Sequence, residues 1–264
     1  MIIDFHTHAF PDALAERAMG RLVGDGHGIY PPCSDGTVAG LIRCMDGFGV
    51  DASVIQPIVT KPSQTENLNR WAKSVESERI CSFGGIHPET DDYKRDIDFV
   101  ASLGIRGLKF HVEYQGFVLD DPKMLRIYDY AFEKGLIILH HAGFDPAFKP
   151  PFRSSPDRFL NVVKQMQGGT MIAAHLGGHA QWDDVLDKLA GENIYLDTSM
   201  GQKFYSPEQF ISIVRAHGAD KILFGSDSPW SRADEEIELI KNSALTEEEK
   251  NLILGENAKR LLKL

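Results

Sequence analysis

Short apolar runs alternate with helix-patterned stretches from one end of the chain to the other. The runs read as strands at Ile2–Thr7, Ala52–Pro57, Ile80–Ile86, Ile105–Phe110, Leu136–His140, Thr170–Ala174, Asn193–Asp197 and Lys221–Gly225. Between them, apolar residues recur at helical spacing over Glu66–Glu78, Tyr93–Leu103, Pro122–Glu133, Pro156–Met166, Trp182–Leu189 and Pro207–Ala216. Strands separated by helices pair in parallel, because each connection must cross back over the sheet. Eight such units, with a strand opening the chain, predict a closed (β/α)8 barrel, an α/β TIM-barrel fold, as a single domain over residues 1–264. An open doubly wound sheet usually carries a Gly-rich phosphate loop after its first strand. Here that position holds His-Thr-His-Ala-Phe-Pro instead.

The 264 residues are 42% hydrophobic and 25% charged, so a core can form without a metal or disulfide to hold it. A metal in such a chain therefore serves chemistry. The net charge of −10 argues against a nucleic-acid or anionic-membrane partner, both of which need basic patches. It leaves room for a small-molecule substrate, including a carboxylate, held by a cation and local lysines. Three cysteines without a C-x-x-C pair fit reduced thiols. No apolar run approaches the roughly 20 residues of a membrane span. The expected setting is cytoplasmic. The irregular stretch from Ala9 to Gly36, with a short helix expected over Ala13–Leu22, reads either as a lid or as a peripheral excursion. Thr246 followed by Glu249 is a capping-box signature for a terminal helix.

His6-Thr7-His8 closes the first strand. Ten histidines in 264 positions give roughly 0.4 H-x-H matches by chance, so the motif gains its weight from placement. Strict alternation puts Asp4, His6 and His8 on one face, expected to point inward, and Ile3, Phe5 and Thr7 on the other, expected to face the helices. Further polar residues end other strands: His87, Lys109 and His111, His140-His141, His175 and Asp227. Barrel active sites gather at the C-terminal ends of strands, so these residues should meet. His140 and His141 are neighbours in a strand, so at most one of them should point at a metal.

At these residues the chain resembles the amidohydrolase superfamily, in its amidohydrolase-related branch of metal-dependent hydrolases and decarboxylases. The likeness is carried by Asp4-Phe5-His6-Thr7-His8, Gly107-Leu108-Lys109-Phe110-His111, His141-Ala142-Gly143, His175-Leu176-Gly177-Gly178 and Phe224-Gly225-Ser226-Asp227-Ser228-Pro229, with Gly255-Glu256-Asn257-Ala258 near the end. It implies a metal held by His6, His8, His141 and Asp227, and a catalytic pair of Asp227 and His175. One Zn2+ is the expected cofactor, with Mn2+ or a second ion as alternatives. Lys109, His111, His87 and Arg153 are the expected substrate contacts. Lys109 has three readings: a carboxylated bridge between two metals, a partner for a substrate carboxylate, or a structural ion pair. The favoured one leaves it uncarboxylated beside one metal.

The ligand set implies a hydrolase in which a metal-activated water attacks a small ester, lactone or amide. The alternatives are non-oxidative decarboxylation of an aromatic or enoic acid, and a non-catalytic metal-binding barrel. Family members are often dimers, so a homodimer is the corresponding expectation.

Overall fold

The computed structural model describes residues 1–166, 168–201 and 203–264. All eight strands form: β1 Ile3–Thr7, β2 Ala52–Ile55, β3 Ile80–Ser82, β4 Gly107–Phe110, β5 Ile137–His140, β6 Met171–Ala173, β7 Tyr195–Asp197 and β8 Ile222–Leu223. Each is shorter than its apolar run, because the flanking residues pack without joining the ladder. Every pairing is parallel, in the orders β1-β2-β3 and β4-β5-β6-β7-β8. Backbone hydrogen bonds close the two arcs into one barrel. Gly84 N–H donates to Gly107 O (2.8 Å) and Lys109 N–H to Gly84 O (2.9 Å), joining β3 to β4. Phe5 N–H donates to Phe224 O and Asp227 N–H to His6 O, each at 2.8 Å, joining β8 to β1.

The helices begin where their caps dictate. Asp121 accepts from Lys123 N–H with Pro122 following, and Ser206 does the same for Gln209 N–H ahead of Pro207. The Thr246–Glu249 capping box forms as expected. Two helices, Val38–Phe48 and Ala233–Asn242, were not among the patterns read from the sequence. The apolar residues fall into two layers. Strand residues such as Ile138, Ala173 and Ile222 join the helices in a large outer layer. A smaller inner cluster takes Val54, Leu139, Ile172 and Leu223 from the strands and Phe83 from just beyond β3, together with Ala258 and Leu262 of the last helix.

Ile3 and Phe5 belong to that inner cluster, which corrects the outward orientation expected for them. The cause is local: the register of β1 against β2 shifts between Asp4 and Thr7. An irregularity of that kind breaks the two-residue alternation, so Phe5 and His6 can both turn inward. Thr7 then pairs with Ile55, a residue of the outer layer, as expected. Asp4 is buried away from the metal-ligand cluster described below, accepting from Ser226 N–H (2.9 Å) and Ser226 Oγ–H (2.5 Å). Burial pushes its carboxyl up to about 7 against those bonds.

The stretch after β1 folds as a helix, Asp12–Asp25, longer than the one read from the sequence. Its ends are tied at the base, where Phe10 N–H donates to Gly36 O (2.8 Å). Among the described residues no helix is long and apolar enough to cross a membrane.

Candidate metal centre

The strand ends bring His6, His8, Lys109, His111, His141, His175 and Asp227 into the lining of one cavity. His6 and His8 leave β1 with their Nε2 atoms 3.3 and 3.0 Å from Asp227 Oδ1. Asp227 sits at φ +66°, a left-handed conformation that turns its side chain back toward β1. A Cβ added at Gly225 would lie 2.9 Å from His6 Cβ, so a glycine is needed where β8 passes the first histidine.

These groups fit a divalent cation. His8 Nδ1 lies 2.9 Å from the Gln56 carbonyl oxygen, which can only accept. The proton therefore sits on Nδ1, and Nε2 offers a lone pair toward Asp227. Burial lowers His8 to about 4, so the ring is neutral at physiological pH. His6 Nδ1 lies 2.9 Å from Asp197 Oδ2, the carboxylate–histidine pairing that orients metal ligands. Burial alone would raise Asp227, but His6, His8 and His175 outweigh it and hold the carboxyl well below its usual range. His6, His8 and Asp227 thus form one ligand cluster.

His141 is placed differently from the expectation that groups it directly with those three. Its Nδ1 lies 3.1 Å from His175 Nε2, and it clusters with His111 and Asp145. Its Nε2 is buried with no hydrogen-bonding partner among the described residues. That leaves the nitrogen free for an ion. His140 faces the opposite way, stacked on Phe110 at 5.2 Å between Tyr128 and Phe159. The alternation argument for the His140-His141 pair therefore holds.

Lys109 is fully buried, with Nζ 2.9 Å from His6 Nε2. Burial lowers it to about 8, with Asp227 and Asp197 pulling the other way. His175 lies at φ +56°, its Nδ1 2.9 Å from Ser199 Oγ. Burial takes it down to about 3, so it too is neutral.

Asp197 is the hub that the sequence reading passed over. It accepts from His175 N–H and Ser199 N–H, both at 3.1 Å, besides meeting His6. Burial would raise it, but His6 and the other partners hold it well below the carboxylate range. It closes β7, so the strand-end rule that found the other residues reaches it as well.

Two expected substrate contacts lie elsewhere. Arg153 pairs with Glu113 (Nε to Oε2, 3.5 Å) and is absent from the cavity lining, because the loop after β5 turns its side chain to the surface. His87 is also absent from the lining; its Nδ1 accepts from Glu89 N–H (3.1 Å), which caps the turn after β3.

The cavity measures about 220 Å3. Its upper walls are apolar: Phe10, Pro11, Leu22, Val23 and Tyr30 come from the excursion after β1, facing Tyr114, Phe144 and Trp230. Among the described residues Lys109 is the one lysine in the lining, and no arginine reaches it.

The model of the Amidohydrolase family (Amidohydro_2) matches residues 3–264. No curated protein matches the sequence. Among solved structures, 5-carboxyvanillate decarboxylase LigW from Sphingomonas paucimobilis aligns with a TM-score of 0.71 at 14% identity, covering 100% of this chain and 99% of its own. A dihydroxybenzoic acid decarboxylase from Polaromonas, with bound manganese and 2-nitroresorcinol, aligns at 0.72 and 15% identity over 100% and 97%. A probable 2-pyrone-4,6-dicarboxylic acid hydrolase from Acinetobacter baumannii aligns at 0.67 and 18% identity over 100% and 99%. At such identities the likeness speaks for the fold.

Proposed function

Because the chain belongs to the amidohydrolase family, we propose that this enzyme is a metal-dependent, non-oxidative decarboxylase of an aromatic acid. The observation that carries the reading is the composition of the cavity. One buried cation, Lys109, lies on the floor beside the ligand cluster, beneath aromatic and aliphatic walls. An apolar cavity of about 150 Å3 is enough for benzene, so about 220 Å3 suits one substituted ring. A dicarboxylate, by contrast, would find a single lysine and no arginine among the described residues of the lining. Two of the three structural relatives described are decarboxylases, which supports the same choice over hydrolysis of an ester, lactone or amide.

His6, His8 and Asp227, joined by the unpartnered Nε2 of His141, would hold one divalent ion, with Zn2+ the first choice and Mn2+ the ion bound in one relative. When bound, the ion would polarise the substrate's oxygen donors and draw electron density from the bond that breaks. Lys109 Nζ meets the carboxylate and fixes its approach. Tyr114, Phe144 and Trp230 hold the ring and keep water away, which strengthens every charge interaction on the floor. Decarboxylation breaks one C–C bond, leaves its electron pair on the ring carbon and requires one proton there. That proton comes from solvent: Asp227 and His175 are the lining residues assigned to relay it, the resting Asp227 carboxylate taking it up before passing it to the ring carbon while His175 orients the carboxyl.

The test is a panel of benzoic acids and lactones offered to the metal-loaded protein, read by CO2 release and product chromatography. Release of CO2 from a benzoic acid, lost in Asp227→Asn and lowered at least tenfold in Lys109→Met, is the expected result. Lactone opening without CO2 release would overturn the reading in favour of hydrolysis.

A further inference from the structure

The loop after β5 carries a carboxylate that the reaction above does not use. Asp145 lines the cavity beside His111 and His141, with a carboxylate oxygen within 4.8 Å of a ring nitrogen of each. It is built into place. Its Oδ1 accepts from Ala147 N–H (2.8 Å), and its Oδ2 lies 3.1 Å from His111 Nε2. His111 Nδ1 accepts from Tyr114 N–H at 3.5 Å, so the ring's proton belongs on Nε2 and is donated to Asp145. The His111 ring is fixed in turn by stacking on His141, with centroids 4.1 Å apart.

These two bonds occupy half of the roughly four lone-pair positions of a carboxylate. Among the described residues no lysine or arginine pairs with Asp145. Its charge is felt across the cavity. Burial first, then Asp145, pushes the Tyr30 hydroxyl up to about 12 and Tyr114 higher still.

A fixed acceptor with spare lone pairs and no cation repels an anionic substituent and welcomes a donor. We propose that Asp145 is a specificity-determining residue that accepts a hydrogen bond from a hydroxyl on the substrate's ring, at the His111 side of the cavity. A hydroxyl suits it better than an ammonium, because two donors already share the carboxylate's charge. The ring itself rests on the aromatic-acid reading above, but its binding does not depend on its being decarboxylated.

The experiment is calorimetric binding to the metal-loaded protein, with product analysis on the same samples. The probes are 3- and 4-hydroxybenzoate, their methoxy counterparts, the corresponding benzenedicarboxylates and 3-(aminomethyl)benzoate. One hydroxybenzoate should bind at least tenfold tighter than its methoxy counterpart. In Asp145→Ala, and in the isosteric Asp145→Asn that keeps the Ala147 bond, that preference should fall below threefold while the methoxy ring binds as before. The Asn variant should also gain affinity for a dicarboxylate. Equal binding of both rings by the wild type, binding of neither, a preference that survives both variants, or tighter binding of the aminomethyl ring would each overturn the proposal. Asp145-dependent binding without CO2 release would sink the decarboxylase reading alone.

Discussion

His140 offers a test of how the barrel tolerates a polar ring in its outer layer. It is fully buried, and neither ring nitrogen has a partner among the described residues. A buried, unmet polar group costs about 1–3 kcal/mol. Against that, stacking on Phe110 contributes about 0.5–1.5 kcal/mol beyond area burial. His140→Leu is close in volume, removes both orphaned nitrogens and gives up the stack. The expected net change at pH 7.5 is a stabilisation of about 1 kcal/mol.

The pH dependence is sharper. Burial, then Lys109 and His111, holds His140 well below its usual 6.5, so the folded ring stays neutral while the unfolded one takes a proton below that pH. A depressed histidine contributes stability that is present above 6.5 and is lost as pH falls toward the folded value. At pH 5 that loss is about 2 kcal/mol, from 1.5 pH units at 1.36 kcal/mol each. The Leu variant lacks this loss, so its advantage over the wild type should widen from about 1 to about 3 kcal/mol between pH 7.5 and 5. Urea unfolding followed by circular dichroism at both pH values measures it. A difference that does not change with pH would refute the argument, because it would mean that the ring is charged or hydrogen-bonded in the folded state.

Other outcomes follow from the same geometry. His6→Ala and Asp227→Ala should lose metal retention by elemental analysis while keeping a folded barrel by circular dichroism, because the core holds the fold. His141→Ala should behave like them and His140→Leu should retain metal, and the reverse result would shift the assigned ligand by one residue. Asp197→Asn should weaken metal affinity about 10–100-fold in a chelator competition, through loss of orientation at His6. Protein purified without chelator should carry one metal per chain. A ratio near two, lost in Lys109→Ala and restored by short carboxylates, would mean a carboxylated lysine.

Much of the barrel was legible because parallel strands buried on both faces leave continuous apolar runs, and their ends mark one rim. That logic found His6, His8, Lys109, His141, His175 and Asp227. It failed where the backbone departs from regular alternation. The irregularity between Asp4 and Thr7 reverses the faces assigned to Ile3 and Phe5, and no side-chain pattern announces it. Asp197 was overlooked although it closes a strand, because an acid at a strand end resembles any turn residue until its partners are seen. Asp145 and Tyr30 lie in loops, where spacing carries no information about direction. The strand-end rule also points to His87, but β3 ends at Ser82 and the loop beyond it keeps His87 out of the cavity lining, as the loop after β5 does for the cationic Arg153.

The excursion after β1 supplies Phe10, Pro11, Leu22, Val23 and Tyr30 to the cavity, whereas the ligands come from the strand ends. Shape and chemistry are thus written in separable stretches of chain. Phe10 and Gly36 meet at its base and Cys33 N–H donates to Pro229 O (2.8 Å), so a segment exchanged for this one would have to keep both attachments. The barrel would then supply a fixed reagent, and the segment between positions 10 and 36 an interchangeable mould for what is admitted to it.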